Sequence, residues 1–428
     1  MKNSVFIIVC LILVVSPLMR GGVNAWAQTV IQVLVVLGWM VVVVEMLRAG
    51  RSERQRKRHS HTTTGADVSD KGYSPGKLAG YVGLPCAALG VWSAVWSPHP
   101  ALALQGVIML AAYLGFFFLV VMSVRTRQEQ RTLVWVIVGT AVFLSIIGLL
   151  KRYDILVFTW WDYSAEVGPG HHAKALSGVY VNRNHMAGFL EMAIPLMLIL
   201  FITRSRPLEA RIMMVLGAVF LLICQVLTLS RGGWGATAGA LVFMAVALLF
   251  KKGFAHKRLV GFLLGACVVT ALVVLAMTPV VERAATITER GIEGNLVHRL
   301  NLWQGTWHMI KDNPAAGTGP GTFETAYPLY QQPGYTVLAR YAHNDILQFA
   351  ADTGFLVFPL MLWLLFLFFK TGFAKFQSRS RQTSGIALGC MAGVIAILIH
   401  SYSDGNLQIP ANALLFTSLS ALVLDSGV

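Results

Sequence analysis

The stretch RYAHNDILQFAADTG, residues 340–354, sets Arg340, His343, Asn344 and Asp345 almost side by side between long apolar runs. An imidazole with an ordinary pKa of about 6.5 accepts a proton at neutral pH. Arginine stabilises a departing phosphate through charge-assisted, bidentate hydrogen bonds. Two more arginines keep similarly apolar company: Arg231 in LTLSRGGWGA (226–235) and Arg299 in NLVHRLNLWQGTWHMIKDNP (295–314). These residue types suit group transfer from a phosphate-activated donor, with His343 as base and arginines on the leaving phosphate. Each also has a plainer explanation. Asn344 is a natural helix N-cap, so His343-Asn344 can be a helix start and nothing more. Arg231 can snorkel to head-group phosphates, and Arg299 can be a solvated or stacked side chain.

A metal-dependent version of this chemistry calls for paired carboxylates, and no DxD occurs in the sequence. No metal and no other cofactor is therefore expected. His171-His172 lacks a carboxylate pattern that would make it a metal site. GTGPGTF (317–323) is glycine-rich but lacks the Lys-Ser/Thr of a phosphate-binding loop, and reads as a tight turn that lets backbone pack closely. All five cysteines (Cys10, Cys86, Cys224, Cys267, Cys390) fall in apolar runs without a CxxC, against a zinc site or disulfide framework.

The elements that must position these residues are membrane helices. The 428-residue chain is 56% hydrophobic and only 12% charged, with a mean hydropathy of +0.65. A spanning helix needs about 20 apolar residues. That rule predicts an all-α polytopic membrane protein with about twelve spans, near 4–19, 26–47, 78–96, 101–124, 132–150, 185–203, 212–229, 233–250, 259–278, 355–370, 385–402 and 409–424. Lys2, the apolar run 5–19 and Ala25-Trp26-Ala27 imitate a signal peptide, but a first membrane helix is the preferred reading.

With the N-terminus inside, 23 of the 34 Lys and Arg fall in inner segments, which puts both termini in the cytoplasm. The net charge of +15 thus reports topology, with no nucleic-acid partner. The basic run 51–72 is expected to be a solvated cytoplasmic loop attracted to anionic lipid. Four regions follow: N-terminal helices with basic loop 48–77 (1–150), central helices (151–278), a long outer loop with amphipathic helices (279–354) and C-terminal helices (355–428). Outer segments 151–184 and 279–354 are too long for simple turns. Between 212 and 250 the Gly232-Gly233 pair is expected to turn an outer hairpin. Leu296, Leu300, Trp303, Trp307 and Ile310 recur at helical spacing before Pro314, predicting an amphipathic helix outside the membrane. Ile346, Leu347 and Ala350 predict a further helix ending at Gly354.

Four pieces then carry a resemblance: YVNRNHMAGF (180–189), LSRGGW (229–234), RLNLW with PAAGTGPGTF (299–303 and 314–323), and AHNDILQFAADTGF (342–355). In that order and spacing the chain resembles the O-antigen ligase and polymerase superfamily of bacterial membrane glycosyltransferases, over about residues 180–360. The resemblance implies an inner-membrane enzyme with its site facing the periplasm. It implies a glycan donor linked to undecaprenyl diphosphate and, as acceptor, the lipid A core for a ligase or another lipid-linked glycan for a polymerase. His343 would be the outer-loop histidine that activates the acceptor hydroxyl. Arg231 and Arg299 would hold the diphosphate. Asn182, Arg183 and Asn184 match a pattern of less settled role and, with Arg340, are further candidates for substrate contact. A metal-independent inverting transfer follows, with the ligase preferred and an O-antigen or exopolysaccharide polymerase as the alternative.

A transporter is the rival from another class. Transporters bind near the bilayer midplane between paired charges, and the deepest charged candidates here, Glu191 and His400, read as lying near span edges or alone. A membrane scaffold would leave His343 and the arginines without a purpose.

Overall fold

In a computed structural model the described residues are 2–56, 73–153, 155, 175–202, 208–251, 257, 292–334 and 338–425. They form helices: α1 (Lys2–Leu18), α2 (Ala25–Arg56), α3 (Pro75–Val95), α4 (Pro100–Ser123), α5 (Arg127–Arg152), α6 (Arg183–Ile202), α7 (Leu208–Leu227), α8 (Arg231–Phe250), α9 (Ile292–Asp312), α10 (Asp345–Thr353), α11 (Val357–Phe376), α12 (Arg381–His400) and α13 (Pro410–Leu424). The all-helical expectation holds. Among the described residues seven helices are long and apolar enough to cross a membrane: α2 over Ala25–Arg48, α3, α4, α5, α8, α11 and α12. Shorter apolar helices stand at Ser4–Leu18, Ile212–Leu227 and Pro410–Leu424, and α6 covers residues 185–202 of the predicted span 185–203. The predicted span at 259–278, His171-His172, and most of the basic loop lie outside the described residues.

Burial sorts the bundle. α6 and α12 are enclosed nearly all round and pack along each other, with α8 and α13 against α12. A helix that is apolar on every side belongs in such an interior. α2, α3 and α11 form the rim, leaving Val36, Met40, Val43, Val95 and Leu362 exposed, as lipid-facing surface requires. Local sequence sets the helix ends. Thr126 and Glu129 form a reciprocal capping box at the start of α5, and Ser380 caps α12 through the Thr383 amide.

One expectation needs correction. The turn between α7 and α8 is not made by Gly232-Gly233. Ser230 caps α8, its Oγ accepting from the Gly233 amide at 3.2 Å, so both glycines lie inside the first turn of the helix. Leu229, with φ 55°, takes the left-handed backbone position instead. The capping geometry of serine prevailed over the turn tendency of a glycine pair. In α9 the helix forms as predicted, but its buried face runs through Leu302, Thr306, Met309 and Ile310, while Leu300 and Trp307 stay exposed. The close approach of Gly305 to the Tyr330 carbonyl fixes that rotation: a Cβ there would lie 2.7 Å from the oxygen.

The glycine-rich turn packs as expected. Gly317, Gly319 and Gly321 all have positive φ, and the Thr318 and Gly319 amides donate to the Ala351 and Asp352 carbonyls of α10. Ser93 of α3 donates to the same Asp352 carbonyl at 2.6 Å. The loop between α9 and α11 is thereby tied to the bundle. Gly354 (φ 74°) ends α10, where a Cβ would meet the Ala315 backbone at 2.6 Å.

Candidate active site

The site gathers around a residue that sequence reasoning passed over. After α12 the chain makes the short loop Ser401–Ile409, and Asp404 in it is only 1% exposed. Its Oδ1 lies 2.8 Å from His343 Nδ1 and accepts from the Gly405 amide at 2.8 Å. Its Oδ2 accepts a hydrogen bond from Asn184 Nδ2 and lies 3.8 Å from Arg299 Nη2. A single buried carboxylate thus joins three sequence candidates from three separate parts of the chain.

His343 is held by backbone as well as side chain. Asn344 caps α10 as expected, accepting from the Leu347 amide at 3.1 Å, and its Nδ2 donates to the Tyr402 carbonyl at 3.0 Å. The Asp345 amide donates to the Ser401 carbonyl at 2.9 Å, and the Asp345 carboxylate accepts from Ser401 Oγ and the Leu407 amide at 2.8 and 3.0 Å. The start of α10 is therefore stitched to the Asp404 loop on both sides of His343. His343 itself has φ 47°, a left-handed conformation that a non-glycine residue keeps only when its surroundings enforce it. Trp303 of α9 completes the frame, donating to the Ala342 carbonyl at 3.0 Å and meeting Tyr402 edge-on at 5.9 Å.

Electrostatics follow from this packing. Burial alone would lower the pKa of His343, but the Asp404 charge and hydrogen bond outweigh it and raise the pKa above its ordinary value. Burial would raise Asp404, yet His343 and the other imidazoles nearby hold it well below the usual carboxylate range. Burial pushes Asp345 up to about 7. His298 sits with its ring centroid 6.5 Å from that of His343, and its pKa is lowered, first by burial and then by the His343 and Arg299 charges. The imidazole of His343 remains 32% exposed and Arg299 30%, so both reach the outside from a buried carboxylate.

The other candidates divide. Asn182 accepts from the Asn184 amide at 2.9 Å and orders the start of α6, from which Asn184 reaches Asp404. Arg183 is near enough to Arg231 for their charges to interact. Arg231 is exposed at the first turn of α8. Its neighbour Gly232 passes so close to the Asp404 loop that a Cβ would lie 2.6 Å from Ser403 Oγ. Arg299 and His343 thus border one loop, and α8 rests against it one residue from Arg231. Arg340 pairs with Glu324 at 3.6 Å on the surface, both largely exposed. Among the described residues no group of three or more His, Cys, Asp or Glu is arranged to hold a metal ion.

Glu191 and His400 are not alone, as the sequence had suggested. They pair with each other: His400 Nδ1 lies 2.9 and 3.1 Å from the two Glu191 oxygens, with both side chains at most 1% exposed. Asp404, and the pairing of Glu191 with His400, were missed for one reason, since each is identified by a partner far away in sequence. The clue for Asp404 was the polar cluster HSYSDGN (400–406) at the end of an apolar helix, a smaller counterpart of the 340–345 cluster.

Residues 216–362 match the sequence model of the family described as O-antigen ligase. The match covers about a third of the 428-residue chain, so that segment is similar to the family's domain. The matched region runs from α7 into α11 and contains Arg231, Arg299, Arg340 and His343, whereas Asn184 and Asp404 lie outside it. No curated protein matches the chain.

Proposed function

We propose that this protein is an O-antigen ligase of the bacterial inner membrane, transferring a glycan from undecaprenyl diphosphate to an acceptor hydroxyl of the lipid A core on the periplasmic face. The observation that carries the proposal is the His343–Asp404 pair, 2.8 Å long and flanked by Arg299, at the mouth of a helical membrane bundle. An imidazole oriented by a carboxylate is the arrangement a general base needs. With Nδ1 facing Asp404, the proton sits on Nδ1 and Nε2 presents its lone pair.

The acceptor hydroxyl gives its proton to His343 Nε2 as its oxygen bonds to the anomeric carbon. The bond from that carbon to the diphosphate oxygen breaks, and undecaprenyl diphosphate leaves with the electron pair. Attack from the face opposite the leaving group inverts the anomeric centre. Arg231 and Arg299 neutralise the charge that develops on the diphosphate, a role that needs no metal. Asn182, Arg183 and Asn184 border the same loop and would contact the donor glycan or its diphosphate. The excess of Lys and Arg on the opposite side supports the periplasmic placement and the cytoplasmic termini.

A polymerase would use the same donor and the same base, so the experiment must separate products. Wild type, His343→Ala and Arg231→Ala are compared by complementing a deletion strain and resolving extracted lipopolysaccharide on a gel. Long chains stranded on undecaprenyl diphosphate, with none on the core, are expected for the deletion and for both variants. Loss of lipid-linked long chains with single repeats retained on the core would make the protein a polymerase. Full rescue by both variants at normal protein levels would refute the catalytic reading of His343 and the anion-binding reading of Arg231.

A further inference from the structure

The Glu191–His400 pair is fully enclosed beside the site, and the transfer chemistry makes no use of it. Its surroundings give it a purpose. The Nδ1 edge of the His400 ring is occupied by Glu191 of α6. The opposite edge faces the start of α8: Nε2 lies 3.5 Å from Ser230 Oγ, the atom that caps α8. A Cβ on Gly232 would lie 2.7 Å from His400 Cδ2 and 2.9 Å from Nε2, so α8 rests directly on the ring. The backbone of His400 ends α12, and its carbonyl accepts from the Ser403 and Asp404 amides at 2.8 and 3.0 Å. One residue therefore touches the helix start that carries Arg231 and also begins the loop that carries Asp404.

We infer that Glu191 and His400 are positioning residues that hold Arg231 in register with the His343–Asp404 pair, so that base and diphosphate ligand face the same donor. This rests on the reading of Arg231 as a diphosphate ligand. Glu191 fixes the ring by engaging Nδ1, and the ring then acts as the seat for Ser230 and Gly232. A buried carboxylate is costly unless it is hydrogen-bonded, so the pair tolerates one arrangement and transmits it. Packed interiors shift between discrete arrangements instead of yielding gradually, which makes a seat of this kind effective. Arg231 is exposed and next to a turn; without the seat its helix start could swing away from the loop.

The test uses the full-length protein in nanodiscs, with undecaprenyl diphosphate itself as the probe and its dissociation constant as the readout. His400→Asn keeps a donor near the Nδ1 position, so Glu191 stays partnered while the ring edge beneath Gly232 is lost. Gly232→Ala leaves the pair intact and wedges α8 off both the ring and Ser403 Oγ. Each change alone is expected to weaken binding about tenfold, the equivalent of 1.4 kcal/mol. The double variant is expected to be no weaker than the weaker single one, because the shortened side chain removes the clash with the ring and leaves the methyl facing only Ser403 Oγ. In an Arg231→Ala background neither change should weaken binding further, since both act through Arg231.

Undiminished binding by both single variants, or losses that multiply in the Arg231→Ala background, would overturn the inference while leaving the proposed function intact. Wild-type binding by Arg231→Ala alone would overturn the diphosphate role of Arg231, and this inference with it. Because Gly232→Ala perturbs no buried charge, a folding failure of His400→Asn leaves the comparison with Arg231→Ala decisive.

Discussion

The two histidine–carboxylate pairs have nearly the same geometry and opposite settings. His343 and Asp404 approach to 2.8 Å, His400 and Glu191 to 2.9 Å, and His400 and Asp404 are four residues apart in one turn of chain. The difference lies in access. The imidazole of His343 is 32% exposed, whereas that of His400 is 1% exposed. A base must exchange its proton with substrate and solvent, so only the open pair can serve as one. The sealed pair can only hold things in place. Bond length alone would not have told the two apart.

Removing each imidazole should therefore damage different properties. His400→Leu leaves Glu191 buried without its donor, and losing one member of a buried pair costs about 3–5 kcal/mol of stability. His343→Ala deletes a partly exposed ring and leaves the Asn344 cap in place, so the protein should melt close to wild type while transfer falls by about 10²–10⁴-fold, the usual contribution of a general base. Thermal melts in detergent and a transfer assay on the same samples check both halves. A large melting shift for His343→Ala with activity retained would reverse the assignment of the two pairs.

The next effect is a change in pH dependence. The proposed base His343 can act only when unprotonated, and Asp404 raises its pKa above the ordinary value. Activity should therefore climb with pH through a value above about 6.5. Asp404→Asn removes the charge and leaves burial and Arg299, both of which lower the pKa. The acidic limb of the profile should move to lower pH, even though the maximal rate drops because the ring is less well oriented. A limb that stays in place would mean that Asp404 does not set the protonation of His343.

How much of this was legible depends on where each residue's partner lies. His343, Arg231 and Arg299 stood out because a polar group in an apolar context is conspicuous whatever it touches. The Asn344 cap, the α10 helix and its Gly354 stop were also legible, since their signals lie within a few residues of one another. Asp404 was not, because its hydrogen bond to His343 spans 61 residues, and neither was the pairing of Glu191 with His400, which spans 209. Short-range competition caused the error at Gly232-Gly233, where two local signals disagreed and the serine cap prevailed. The buried face of α9 depended on the Gly305–Tyr330 approach, a tertiary contact that hydrophobic spacing does not encode.

The smallest expected effect bears on how firmly the open pair is held. Asn344→Ala removes the cap on the Leu347 amide and the donor to the Tyr402 carbonyl. Loss of an N-cap costs about 1 kcal/mol, so the melting temperature should fall by only a few degrees. Transfer should fall further than that loss alone suggests, because the start of α10 also keeps His343 at φ 47°. Asn344→Asp restores the cap acceptor but not the donor to Tyr402, and adds a negative charge beside His343. It should recover most of the stability and move the acidic limb to higher pH, opposite to Asp404→Asn. If both Asn344 variants match wild type in stability and rate, the strained backbone of His343 is held by Asp404 and Trp303 without help from the cap.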